Sequence, residues 1–221
     1  MSRVVIIGGG GREHALAWAL SQGGVPVVVA PGNGGTCGEH VTAAPYGGVS
    51  DAVALCRGAR VAVVGPEAPL ADGISDALGA AGIPCFGPTA AAARLETSKA
   101  WSKEFMLRHG IPTAAHRTFT AAADAEAYIR ACPHKVVVKA SGLCAGKGVV
   151  VAESAEEAAA AARDMLGGSF GDAGREVVVE ERLEGEEASV LAFSDGKTVV
   201  PLPAAQDHKR AWEFDMGAWG W

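Results

Sequence analysis

The sequence predicts an α/β protein that opens with a Rossmann-like parallel sheet, and three observations carry that prediction. Short β-branched runs recur, Val4-Val5-Ile6-Ile7 and Val61-Ala62-Val63-Val64 among them, and continuous apolar runs mark strands buried on both faces. Alanine-rich stretches with helical spacing separate these runs, as helices between parallel strands require. A glycine cluster, Gly8-Gly9-Gly10-Gly11, follows the first run directly and sets a tight strand-to-helix turn.

In chain order, the first strand leads into a helix over 13–22, with Ala15, Leu16, Ala19 and Leu20 on one face. Val27-Val28-Val29 is the next strand and 61–64 another. A helix over about 68–81 follows, and Cys85-Phe86 closes the sheet. A single helix is predicted over about 90–109, stopping at Gly110-Ile111-Pro112. Beyond it the grammar changes. Val136-Val137-Val138 and Val149-Val150-Val151 are strands joined by a glycine-rich loop. Ser154-Ala155-Glu156-Glu157 is a capping box that starts a helix running to about 166, which Gly167-Gly168 ends. Val177-Val178-Val179 is a further strand, and no internal repeat is found.

Composition bounds the function. Of the 221 residues, 49% are hydrophobic and 20% charged, so a sizeable core is expected and wholesale disorder is not. A formal charge of -6 argues against a nucleic-acid partner, which needs clustered Lys and Arg. Cys37, Cys56, Cys85, Cys132 and Cys144 share no CxxC spacing, and the six histidines form no HExxH pattern, so neither a cysteine zinc site, a redox pair nor a zincin-like metal site is expected. The opening MSRVVII is too short an apolar run for a signal core or a membrane span. A soluble, cytoplasmic protein without a membrane partner is the expectation.

Two glycine loops carry candidate chemistry. The turn at Gly8 to Gly11 either merely joins strand to helix or brings backbone N–H groups to a phosphate. It is not a dinucleotide fingerprint, because the third glycine of GxGxxG falls on Glu13, and the second strand runs into Ala30-Pro31-Gly32-Asn33 without a ribose-binding acid. The second loop lies in KASGLCAGKGVVV, 139–151. From Gly142 to Gly146-Lys147 it is one residue short of a Walker A loop, and Gly148 stands at the hydroxyl position. Flanked by strands on both sides, it reads instead as a hairpin that folds over a nucleotide, with Lys139 aimed at phosphates. The acidic run after the 177–179 strand, Glu180 to Glu187, reads either as solvated surface or as a strand exit that pairs with adenine and ribose.

Nine segments in order, GGGGREHA, APGNG, VGPEAPL, FGPT, SKAWSKEF, HGIPT, the 139–149 loop, EERLEGEEAS and PAAQDHKR, resemble the glycinamide ribonucleotide synthetase (phosphoribosylamine–glycine ligase) family of the ATP-grasp superfamily. The resemblance runs from residue 4 to about 210. It implies a Rossmann-like substrate domain over 1–88, a connecting helix and linker over 89–114, an ATP-grasp lid subdomain over 115–185, and an incomplete second subdomain over 186–221 whose tail leaves the family pattern at about 211.

It also implies an ATP-dependent ligation of glycine to 5-phosphoribosylamine in de novo purine synthesis, through a glycyl phosphate. Carried over, Lys99 and Lys139 meet ATP phosphates, and Gly142, Gly146, Lys147 and Gly148 belong to the lid. Glu180 and Leu183 face adenine, and Glu187 the ribose. Gly10, Gly11, Arg12, Gly65, Pro66 and Glu67 line the phosphoribosylamine side, and Asp207, His208, Lys209 and Arg210 begin a catalytic loop that closes on substrate. The family's magnesium or manganese ligands have no counterpart before the sequence stops, so a C-terminally truncated, impaired ligase is the expectation. The alternatives are a non-catalytic phosphoribosyl- or nucleotide-binding fragment, or half of a split enzyme with a complementary chain or oligomer.

Overall fold

The computed structural model describes residues 2–144 and 146–207. By contacts the chain divides after Arg182 into two units. The first opens with a five-stranded, all-parallel sheet in the order β3-β2-β1-β4-β5, built from β1 (Val4–Gly8), β2 (Val27–Pro31), β3 (Val41–Ala43), β4 (Val61–Val64) and β5 (Cys85–Phe86). Alternation along β1 sends Val5 and Ile7 to one core, with Ala30, Val64, Ile74 and Leu78. Val4 and Ile6 go to the other, with Ala17, Val27 and Val29. Covering both faces is what the continuous apolar runs demanded.

Helices α1 (Gly11–Gln22), α2 (Val49–Leu55), α3 (Glu67–Ala71) and α4 (Ile74–Ala80) alternate with these strands. The helix expected over about 68–81 is therefore two. Gly73 adopts φ +82°, and this left-handed residue ends one helix and starts the next.

The helix expected over about 90–109 is also two, α5 (Ala90–Thr97) and α6 (Lys99–Arg108). Ser98 between them is extended, and its hydroxyl accepts the Trp101 N–H at 3.2 Å as the N-cap of α6. A four-stranded antiparallel sheet follows in the order β6-β9-β7-β8, from β6 (His116–Phe119), β7 (Val136–Ala140), β8 (Val149–Val151) and β9 (Val177–Glu181).

One face of this sheet, with Phe119, Val136, Val138, Val177 and Val179, packs on α7 (Ala122–Ala131) and α8 (Ala155–Asp164). At the start of α8, Ser154 Oγ accepts the Glu157 N–H at 3.1 Å, while the Glu157 carboxylate takes the Glu153 N–H at 2.8 Å. The expected box is thus closed one residue early.

In the second unit, β10 (Ala192–Ser194) and β11 (Val199–Pro201) form an antiparallel ladder, and Ser189 bridges Ala205. Among the described residues no helix is long and apolar enough to cross a membrane.

Candidate functional site

Two clusters of side chains and turns stand out in the first unit. The first lies at the carboxyl ends of β1, β2 and β4. The strand order reverses between β1 and β4, and a crevice outside the strand ends is where open parallel sheets take ligands.

Gly9 must be glycine here, because a Cβ would come within 2.6 Å of the Gly32 carbonyl oxygen. Asn33 Nδ2 donates to Gly9 O at 2.9 Å, and Arg12 Nη1 donates to Gly65 O at 2.6 Å, with the guanidinium 3.9 Å from Glu67. The six residues expected on this side, Gly10, Gly11, Arg12, Gly65, Pro66 and Glu67, are therefore gathered at one edge. Glu13 was not foreseen. It is buried, and its Oε2 accepts the Gly10 N–H at 2.6 Å, satisfying one free donor of the α1 N-terminus. The signal was available, since Glu13 sits three residues after the N-cap.

The second cluster is set by strand pleating and helix pitch. In the β7–β9 register Lys139 pairs with Val178, and Glu180 with Val137, so Lys139 and Glu180 are diagonal neighbours on one face. That face is opposite the one packed on α7 and α8, and α6 runs against β9. Lys99 and Lys103, four apart, share one side of α6. Lys139 pairs with Glu180 Oε1, and Lys103 Nζ lies 2.5 Å from Glu180 Oε2 and donates to Thr113 Oγ1 at 2.8 Å. Burial pushes the Glu180 carboxyl up, but its bonds to Lys103 and Lys139 outweigh that and hold it below the usual carboxylate range.

Lys99 is held by its own network. Its Nζ donates to Gly142 O at 3.1 Å, its backbone N–H to Ser141 O at 2.8 Å, and Ala100 N–H to Ser141 Oγ at 3.1 Å. The helix N-terminus is thereby docked onto the residues leaving β7. Burial pulls the Lys99 ammonium below the ordinary lysine range. Cys144, Glu96 and Glu180 oppose that shift and Lys139 adds to it.

The loop between β7 and β8 is a hairpin, as expected. Ala140 N–H donates to Gly148 O at 2.8 Å and Lys147 N–H to Cys144 O at 2.9 Å, and Gly146 takes φ +81°, a left-handed turn that favours glycine. Lys147 points into solvent.

Lys99, Lys139, Gly142 and Glu180 are thus brought together, with Gly146, Lys147 and Gly148 on the adjoining hairpin. Leu183, Glu187 and Asp207 belong to the second unit. His208, Lys209 and Arg210 lie outside the described residues. Lys99, Lys103 and Lys139 near the Glu180 carboxylate leave this face with an excess of positive charge beside a glycine-rich hairpin, an arrangement whose charge complements an anion. Among the described residues, no group of three or more His, Cys, Asp or Glu side chains could hold a metal ion.

Two family models match the chain: the N domain of phosphoribosylglycinamide synthetase over residues 2–96, and its ATP-grasp (A) domain over residues 97–220. The human trifunctional purine biosynthetic protein adenosine-3 is 53% identical across 98% of this chain, which corresponds to 22% of the human protein. The phosphoribosylamine–glycine ligase of Escherichia coli K12 is 50% identical across 97% of this chain and 52% of its own length. Among solved structures, phosphoribosylamine–glycine ligase from Thermotoga maritima superposes with a TM-score of 0.81 at 33% identity, covering 98% of this chain and 53% of that one. An ADP complex of N5-carboxyaminoimidazole ribonucleotide synthetase, 19% identical with a TM-score of 0.74, shares the fold. The chain spans about half the length of the ligases it matches.

Proposed function

Because this chain belongs to the phosphoribosylglycinamide synthetase family, we propose that it carries the phosphoribosylamine side and the nucleotide side of an ATP-dependent phosphoribosylamine–glycine ligase of purine biosynthesis. The observation that carries this reading is the convergence of Lys99, Lys139 and Glu180 at the root of a glycine hairpin. When bound, ATP supplies the phosphoryl group that turns an oxygen of the glycine carboxylate into a leaving group.

The residues themselves position and neutralise. Lys99 and Lys139 hold phosphate charge, and the 142–148 hairpin closes over it and excludes water. Glu180 faces adenine; for Leu183 and Glu187, which belong to the second unit, the family pattern implies adenine and ribose roles. The turn at Gly10 and Gly11, with Arg12 and the Gly65-Pro66-Glu67 turn, orients 5-phosphoribosylamine so that its amine is presented to the activated glycine. For Asp207, with His208, Lys209 and Arg210 beyond it, the family pattern implies a catalytic role.

Among the described residues no donor set fits the divalent ion that the family implies. A cytoplasmic site of action goes with this reading.

A second reading, completion of the catalytic site by further polypeptide, is favoured by the second unit. Val190, Leu191, Phe193, Val199, Val200 and Leu202 there are all exposed, a density of apolar surface that marks an interaction face.

Phosphate release by the 221-residue chain, given Mg-ATP, glycine and freshly generated phosphoribosylamine, tests the proposal against controls that omit each substrate. Release that needs all three identifies a ligase complete in one chain. Nucleotide binding without release supports the reading in which further polypeptide completes the site. A folded chain that neither binds nucleotide nor releases phosphate refutes the proposal.

A further inference from the structure

We propose that Lys103 is a positioning residue for the nucleotide, the fixed counter-ion of Glu180 that frees Lys139 to move onto a ligand phosphate. The inference rests on the nucleotide reading above and adds a residue to it.

Glu180 has two partners of different standing. Its side chain is 7% exposed, that of Lys103 11%, and that of Lys139 28%. Lys103 is tethered a second time, by its hydrogen bond to Thr113 Oγ1 at 2.8 Å, so it is buried, anchored at Thr113 and paired with Glu180 Oε2 by charge without an aligned hydrogen bond. Lys139 is the more open of the two, and its strand runs straight into the hairpin.

A buried carboxylate stripped of its counter-ion is expensive. Were Lys139 the sole partner, every phosphate it met would have to compensate for an abandoned Glu180. With Lys103 fixed on Oε2, the carboxylate stays neutralised when Lys139 leaves Oε1. The same arrangement explains why a lysine too buried to reach a ligand belongs at this site. It sits one helical turn from Lys99 and serves the carboxylate rather than the phosphate.

A purely architectural role, pinning α6 to β9, is the competing account, and the two differ in whether the cost of losing Lys103 survives once Glu180 is neutral. The probe is ADP with magnesium, titrated calorimetrically into the full chain. Lys103→Met should weaken ADP binding by about tenfold or more, because withdrawing Lys139 then leaves Glu180 unpaired. Glu180→Gln changes binding by itself, so the comparison is made on that background: adding Lys103→Met to Glu180→Gln should cost no more than about threefold further, since a neutral amide needs no counter-ion. Lys103→Arg, which keeps the charge, should bind as the parent does.

A folded double variant, shown by its circular dichroism spectrum, that binds ADP about tenfold or more weaker than Glu180→Gln overturns the inference. So does a Lys103→Met chain that binds ADP normally. If Lys103→Met alone does not fold, the double variant compared with Glu180→Gln decides alone, because removing both members of a buried pair is tolerated where removing one is not. A parent chain that does not bind ADP defeats the nucleotide reading itself. A parent chain that binds, with Lys103→Met costing as much on the Glu180→Gln background as on the parent, defeats only the role of Lys103.

Discussion

Gly142→Ala is the most demanding single test of how the hairpin is anchored. A Cβ at this position would fall 2.6 Å from Ala173 Cα and 2.7 Å from Ala173 Cβ, atoms of a 3-10 turn over Gly171–Gly174 that cannot rotate aside. The loop must therefore lift. Lifting it stretches the Gly142 N–H bond to Ala173 O, now 3.0 Å, and carries Gly142 O away from Lys99 Nζ. Overpacking of this kind costs about 1–3 kcal/mol, and the lost hydrogen bond adds about 1 kcal/mol, so about 2–4 kcal/mol is expected. Gly167→Ala is the matched control, because nothing lies within 4 Å of its Cβ and its φ is not in the left-handed range. Urea unfolding of parent and variant chains, followed by far-ultraviolet circular dichroism, reads the difference. Gly142→Ala should lower the midpoint of the first unit's transition while Gly167→Ala leaves it near the parent value. A Gly142→Ala chain as stable as Gly167→Ala would refute the claim that Gly142 is required by close backbone approach.

The folded-state carboxyl of Glu180 lies below its unfolded value, so its stabilising contribution is fully present above the ordinary carboxylate range and is lost as pH falls through the lowered folded value. Glu180→Gln should accordingly flatten the acid limb of stability measured by urea unfolding from neutral pH downwards, and an unchanged acid limb would contradict the pairing. The Lys99 ammonium is depressed mainly by burial, and an arriving phosphate favours its charged form, so nucleotide binding should take up protons increasingly as pH rises towards its value. Calorimetry in buffers of different ionisation enthalpy measures that uptake. In the first sheet, Gly9→Ala should cost about 1–3 kcal/mol against the rigid Gly32 carbonyl. Gly11→Ala, with open space around its Cβ, should change stability by no more than about 0.5 kcal/mol, and thermal unfolding compares the two.

What was legible in the sequence is what local pattern encodes. Strands β1, β2, β4, β7 and β8 stand where their β-branched runs lie, and the glycine hairpin follows from two flanking strands that rule out a P-loop. The breaks at Gly73 and Ser98 were not legible, because both interrupt a helical pattern that continues on either side. Ser98 breaks away to cap α6, at a point where Ser141, forty-three positions on, receives the N-terminus of that helix, and periodicity carries no trace of such a contact.

Short β3 and β6 went unpredicted because strands of three and four residues with mixed composition lack alternation long enough to count. In the site, Lys99, Lys139 and Glu180 were marked by motif. Lys103 was not, although its spacing from Lys99 puts the two on one helix face. Only the pleat of β9 reveals that this face meets Glu180. Glu13 carried a capping signal in its place three residues after the N-cap, but its burial was hidden, since that depends on the close approach of Gly8 and Gly65.

If Lys99 and Lys139 form a nucleotide phosphate site at the root of the hairpin, Mg-ATP should bind the full chain saturably at one site. Equilibrium binding to Lys99→Met and to Lys139→Met should be weaker by about tenfold to a hundredfold, the worth of one charge-assisted hydrogen bond. Binding that is saturable yet indifferent to both substitutions, or no binding by a folded chain, would contradict such a site.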